Sequence, residues 1–277
     1  MPTSLQSHIT THLAFLEKQN PYQNVIKTGY WEFDRSFGGL VIGEVEVVSA
    51  VYGMGTTSLL INMSLNISQQ VPVLFMAFND SSLMLTTRFL TTLSGVASKK
   101  IRQNTLNEQE KAALKVAQEN LKKYQLYITD TYYATPQLFE KECIGFIQHH
   151  GVKVIIVDDL VLHLQRNPKK IKQFLVCMKQ LAVTHQITFV VSWVMLYSKL
   201  LPHREKYPQF TALPHWSLAQ NHCNKVLFPY RSEFYGITED EIGACTKGVM
   251  QLMVVKNKYG SLDTILLKCN NDLSFIS

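Results

Sequence analysis

The stretch Val48-Ser49-Ala50-Val51-Tyr52-Gly53-Met54-Gly55-Thr56-Thr57-Ser58 puts glycine and hydroxyl residues at the spacing of a phosphate-binding loop. Such a loop reads Ala or Gly, four residues, Gly-Lys, then Ser or Thr. Ala50, Gly55 and Thr57 fall on that pattern, and Thr56 stands where the lysine belongs. Gly53 and Gly55 let successive backbone N–H groups converge on phosphate oxygens, and a following helix adds its positive N-terminal end. Thr57 offers a hydroxyl to Mg²⁺, whereas Thr56 brings no positive charge to the β- and γ-phosphates. The expectation is a loop that can still hold a nucleotide but hydrolyses it poorly. A tight turn between a strand and a helix in any α/β domain would carry the same glycines, so the loop alone does not decide.

A second chemical signal is Val154-Ile155-Ile156-Val157-Asp158-Asp159, an apolar strand ending in carboxylates. At the carboxyl end of a parallel strand, Asp158 would stand beside the loop and hold Mg²⁺ through water. Other constellations are weaker. His149-His150 and His222-Cys223 lack further ligands at zinc spacing, so no zinc is expected. Tyr132-Tyr133 and Trp193 suit interior packing better than base stacking, and no Gly-x-Ser-x-Gly elbow supports a serine hydrolase.

The elements that must position these groups are readable from apolar period and breakers. Residues 5–18 read as an amphipathic helix through Leu5, Ile9, Leu13 and Leu16, stopped at Asn20-Pro21, with a polar connector up to Thr28. Strands are expected at 45–49, 71–78, 126–129, 152–159 and 187–192, with helices at 57–69, 83–93, 107–123, 136–149 and 168–185. A loop over 201–216 then gives way to strands at 225–230, 248–256 and 264–269. Alternating βα units closed by a hairpin predict an α/β fold: a doubly wound, mostly parallel sheet with an antiparallel C-terminal edge hairpin.

The 277 residues are 46% hydrophobic and 17% charged, which supplies a core and excludes a disordered chain. Apolar runs are too short to span a membrane and the first residues lack a signal-peptide core, so no membrane partner is expected. Five unpaired-looking cysteines fit a reducing cytoplasm. The net charge of +6 permits a polyanion partner. Basic clusters lie at Lys99-Lys100-Ile101-Arg102, Arg166 to Lys172, and His203-Arg204-Glu205-Lys206.

From about residue 25 onward the chain resembles the RecA-like C-terminal ATPase domain of DnaB-type replicative helicases. The resemblance rests on Thr28-Gly29 with Asp34 and Gly38-Gly39-Leu40, on Ala50 to Thr57 with its Met54-Gly55 pair, and on Val73 to Asn79. It extends to Val226-Leu227-Phe228-Pro229-Tyr230-Arg231-Ser232-Glu233-Phe234-Tyr235 and Val255-Lys256-Asn257-Lys258-Tyr259-Gly260. It implies a RecA-like domain over 28–277, preceded by a linker-like helix and connector over 1–27 that docks on a neighbouring subunit. The family's separate N-terminal helical domain is not expected here.

The departures fall on the chemistry. The phosphate lysine is replaced by Thr56, the water-polarising glutamate by Asn79, a strand-end glutamine by Trp193, and the arginine finger by Lys258. An amide orients water without accepting its proton, and lysine lacks the bidentate fork of arginine. The resemblance therefore implies degenerate catalytic positions at Asn79, Asp158 and Lys258. Nucleotide contacts would come from Ala50, Gly53, Gly55, Thr56, Thr57, Arg231 and Lys256, with Mg²⁺ on Thr57 and Asp158. Single-stranded DNA would meet Arg166, Lys169, Lys170, Arg204 and Lys206. ATP and Mg²⁺ binding is expected to be weak or absent unless Lys256 or a neighbour's lysine compensates. The partners implied are single-stranded DNA and a replicative helicase or a ring of the chain itself. An active divergent translocase and a structural assembly factor are the alternatives.

Overall fold

The computed structural model describes residues 4–18, 24–131, 133, 135–195, 208–240 and 242–277. In chain order these form α1 (Leu5–Lys18), β1 (Val25–Ile26), α2 (Trp31–Phe37), β2 (Leu40–Val41), β3 (Val45–Val48), α3 (Thr56–Ser68), β4 (Val73–Ala77) and α4 (Ser82–Ser94). There follow α5 (Ser98–Gln103), α6 (Glu108–Asn120), β5 (Leu126–Thr129), α7 (Pro136–His150), β6 (Val154–Asp158), α8 (Leu160–His163), α9 (Pro168–His185) and β7 (Thr188–Ser192). The chain ends in α10 (Trp216–His222), β8 (Lys225–Tyr230), β9 (Val249–Asn257) and β10 (Thr264–Lys268).

The main sheet has the order β10-β9-β8-β3-β7-β6-β4-β5, and β1 and β2 make a separate two-stranded ribbon. The strands from β8 to β5 are parallel, whereas β9 and β10 run antiparallel at one edge. β3, β4, β6 and β7 are buried along their whole length because helices cover both faces. One core lies under α7, α9 and α10, around Phe139, Phe174, Phe189 and Trp193. The other lies under α2, α3 and α4, around Phe33, Leu60, Phe75 and Phe89.

Local chemistry sets the boundaries. Asn107 and Glu110 close a capping box on α6. Thr135 with Pro136 starts α7 and Asn167 with Pro168 starts α9, in each case an accepting side chain followed by proline at the first turn. The Thr28-Gly29 turn is tied to α2 by Asp34, which accepts from the Thr28 and Gly29 N–H groups at 2.9 and 3.0 Å.

Several expectations need correction. The stretch after 207 does not pass directly into strands, since α10 intervenes. The segment before Thr28 contributes Val25–Ile26 to a strand. α2, α5 and α8 were not foreseen. They are short helices of four to seven residues, below the length at which a period shows. The helix over 107–123 tightens into a 3₁₀ turn at Leu121–Lys123. The Asn20-Pro21 stop lies outside the described residues. Among the described residues, no helix is long and apolar enough to cross a membrane.

Candidate functional site

The site is built where β3 leaves the sheet. Ser49 N–H donates to the Leu227 carbonyl at 2.8 Å, and Met195 N–H donates to the Ala50 carbonyl at 2.8 Å. These bonds hold the start of the loop level with the ends of β8 and β7. Gly53 and Gly55 then take φ of +87° and +95°. A Cβ on Gly53 would stand 2.5 Å from the Phe234 ring, and one on Gly55 2.5 Å from Leu273 Cδ1. Both backbone conformation and space therefore demand glycine. Gly55 caps α3 without a side-chain hydrogen bond, and the first turn of α3 contains no acidic residue. The positive end of a 13-residue helix thus faces the loop without a carboxylate of its own.

Three strand ends bring polar groups to the same edge. Ser192, ending β7, donates through Oγ to Asp158 Oδ1 at 2.5 Å. Asp158, ending β6, is 5% exposed. Burial first, and the neighbouring Asp159 second, push its carboxyl up to about 6, while the hydroxyls of Ser192 and Thr57 pull the other way. Thr57, at the head of α3, is thereby joined to Asp158. Asn79, just past β4, donates through Nδ2 to Asp159 Oδ2 at 2.9 Å. Asp80 pairs with Arg88 at 2.8 Å.

Thr57 and Asp158 are hard oxygen donors that suit Mg²⁺, an ion that keeps several waters and takes its other oxygens from phosphate. Among the described residues no group of three His, Cys, Asp or Glu side chains could hold a metal by itself.

The expected cations do not converge on the loop. Arg231 follows β8 onto the carboxyl edge, but its guanidinium is paired with Glu233, which also accepts the Gly248 N–H at 3.0 Å. Lys256 turns the other way. Its Nζ donates to the carbonyls of Ala219 (3.2 Å), Gln220 (2.5 Å) and Cys223, so it caps the end of α10. Lys258 is exposed beyond the amino end of β8, where its N–H donates to the Asn224 carbonyl at 3.1 Å and its ammonium lies 5.0 Å from the Tyr259 ring. Within one chain, therefore, Lys256 does not face the loop.

Arg166, Lys169 and Lys170 are exposed on the carboxyl side, beyond α8 and around the start of α9. Asn167 Oδ1 accepts the Lys169 and Lys170 N–H groups, and His215 Nε2 meets the Arg166 carbonyl at 3.0 Å. Arg204 and Lys206 lie outside the described residues. Trp193 is fully buried in the α9 side of the core, and its indole N–H has no partner among the described residues. Asp80 and Leu273 escaped the sequence reading, and Phe234 entered it only as part of the Val226–Tyr235 motif, with no role at the loop. An acid directly after Asn79 was the one available signal, since the other two reach the loop only through the tertiary fold.

Known proteins share the sequence pattern and the fold that carry this site. The profile of the DnaB-like helicase C terminal domain matches residues 25–276. The chain belongs to that family. The replicative DNA helicase DnaB of Buchnera aphidicola subsp. Baizongia pistaciae (strain Bp) is 26% identical over 99% of this chain and 60% of its own length. The DnaB of Geobacillus stearothermophilus is 20% identical over 87% of this chain and 54% of its own. The chain thus spans little more than half the length of these DnaB relatives. Among solved structures, one isolated ATPase domain superposes with a TM-score of 0.83 at 17% identity, covering 100% of this chain and 99% of that one. A DnaB-like replicative helicase studied for its interactions with primase gives 0.81 at 15% identity, over 100% and 67%. The sheet of this DnaB-family domain is therefore the RecA-like one.

Proposed function

We propose that this DnaB-family domain binds ATP with Mg²⁺ at the 50–57 loop and hydrolyses it poorly, serving DNA replication or recombination through single-stranded DNA and a helicase ring. The observation that carries the reading is the disposition of charge. The glycines, the start of α3 and the Thr57–Asp158–Ser192 group are retained, while Thr56 is neutral. Lys256 is committed to α10 and Arg231 to Glu233.

In this reading the loop amides and the helix start take the phosphates. Thr57 and Asp158 hold Mg²⁺, which supplies charge neutralisation at the phosphates. Asn79 offers no group that accepts a proton from water. Each lost transition-state contact costs about 10²–10³ in rate, so two of them leave little turnover. Arg166, Lys169 and Lys170, with Arg204 and Lys206, meet DNA phosphates. The helix within 1–27 presents exposed Leu5, Ile9 and Leu13 at helical spacing and docks on a neighbouring RecA-type domain, leaving 28–277 as the folded unit. Deleting residues 1–20 should then abolish association and spare the fold.

Calorimetry with ATP and Mg²⁺, beside an ATPase assay with and without single-stranded DNA, tests the reading. Weak binding with little turnover is expected, and Thr56→Lys should tighten binding by about tenfold or more through one charge-assisted contact. No gain from Thr56→Lys would mean that the loop is not a phosphate site.

A second reading, an active translocase, is favoured by the exposure of Lys258 at the opposite end of the sheet, from which it could serve a neighbour's loop. It requires DNA-stimulated hydrolysis by an assembled oligomer, abolished by Asp158→Ala.

A further inference from the structure

Asn79 stands at the strand end from which a water-activating carboxylate would act, but its amide is already engaged. Its Nδ2 donates to Asp159 Oδ2 at 2.9 Å. Asp159 is in turn held by its own backbone. It takes φ of +64°, its N–H donates to Ser192 Oγ at 2.6 Å, and its carbonyl accepts the His163 N–H at 3.0 Å. A non-glycine residue keeps such a conformation where its surroundings over-determine it. The end of β7 and the head of α8 together aim this carboxylate at residue 79.

We propose that Asp159 is a positioning residue that holds residue 79 out of the hydrolytic reaction and prevents a carboxylate from working there. The proposal rests on the reading of the 50–57 loop as a nucleotide site. Amide and carboxylate are complementary across this contact. A glutamate at 79 would instead meet the carboxylate of Asp159, with Asp158 beside it and Asp80 held by Arg88, and like charges in a half-buried site repel strongly. Asn79 and Asp159 are therefore a matched pair, and restoring one position alone leaves the site unproductive. In hydrolysis the water oxygen bonds to the γ-phosphorus, the bond to the leaving diphosphate oxygen breaks, and the water proton passes to the carboxylate at 79. That carboxylate must face the water, and Asp159 denies it the place.

The test uses the full chain and four variants: T56K, T56K/N79E, T56K/N79E/D159A and T56K/N79E/D159E. ATP·Mg²⁺ affinity is measured by calorimetry and hydrolysis by single turnover at saturating ATP. All four should bind, and T56K/N79E should turn over slowly. Adding D159A, which leaves neither a charge nor a hydrogen-bonding group to hold residue 79, should raise the rate by about tenfold or more, comparable to one recovered transition-state contact, with affinity unchanged within about twofold. D159E keeps the carboxylate and should stay slow. Equal rates with and without D159A overturn the proposal, as does a gain shared by D159E or one that appears only in affinity. If D159A lowers the melting temperature, D159G, which suits the φ of +64°, replaces it as the neutral variant. Failure of T56K to bind ATP defeats the loop reading and the proposal together, whereas binding without an Asp159 effect defeats the proposal alone.

Discussion

The two ends of β3 are chemically opposite. At the carboxyl end, Thr57, Ser192, Asp158 and Asp159 crowd around a loop that lacks its lysine. At the amino end, lysines are plentiful and paired. Lys225 is buried against Glu46 at 3.3 Å and donates to the Gly39 carbonyl at 2.5 Å, and Lys179 is bonded to Glu44. The Tyr259 hydroxyl completes this group by donating to Glu44 at 2.9 Å. One end pairs its carboxylates with cations, while the other gathers carboxylates and helix-start amides with no lysine among them. Charge serves the fold at the first end and, in the function proposed above, a ligand at the second.

The largest effect should come from breaking the buried pair. Glu46 is fully buried, burial raises its carboxyl, and Lys225 works against that shift. Removing one partner strands a charge, whereas replacing both with apolar residues does not. Lys225→Met should destabilise by about 3–5 kcal/mol, and Glu46→Ile with Lys225→Val should recover most of the loss. Urea unfolding of the two variants and the parent decides this. A single variant as mild as the double one would mean that Glu46 carries no charge in the fold, and the contrast between the two ends would shrink.

At the carboxyl end the sign reverses. Asp158 has its folded pKa raised from 3.8 to about 6, so the folded state holds its proton more tightly than the unfolded chain does. Above pH 6 the ionised carboxylate opposes folding by about 3 kcal/mol, at roughly 1.4 kcal/mol per unit. Asp158→Asn should therefore stabilise the ligand-free protein at pH 7–8. The gain should fade as pH falls from 6 towards 3.8, where the parent's carboxylate is already neutral. Melting curves across that range test it, and a gain independent of pH would assign the effect to packing.

This contrast explains what could be read from sequence. The apolar strands and the longer helices were legible because each buries a continuous run or a periodic face, and α9 falls on the expected 168–185. Gly53 and Gly55 were legible because their conformation excludes other residues. The Asn79–Asp159 contact was not, since 80 positions separate its partners and only the β4–β6 pairing brings them together. The Glu46–Lys225 pair was hidden for the same reason. Glu46 interrupts an apolar strand and Lys225 begins one, and the partner that makes each tolerable lies 179 positions away. Lys256 carries a different lesson. Its place in the hairpin motif implied a phosphate contact, but the motif carries no record of which way the side chain turns.

Lys256 gives the smallest effect and the sharpest discrimination. Its ammonium meets three carbonyls around the end of α10, where a cation is favoured by both hydrogen bonding and the negative end of the helix. Burial lowers its pKa, as expected of a charge drawn into the structure. Lys256→Met keeps the aliphatic stem and removes these bonds, so it should destabilise by about 1–2 kcal/mol. ATP·Mg²⁺ affinity of the isolated chain should not change, because the lysine points away from its own loop. Urea unfolding and calorimetry on the same preparation separate the two roles. Lost affinity with unchanged stability would make Lys256 a phosphate ligand after all, and the amino end of β3 could then no longer be regarded as purely structural.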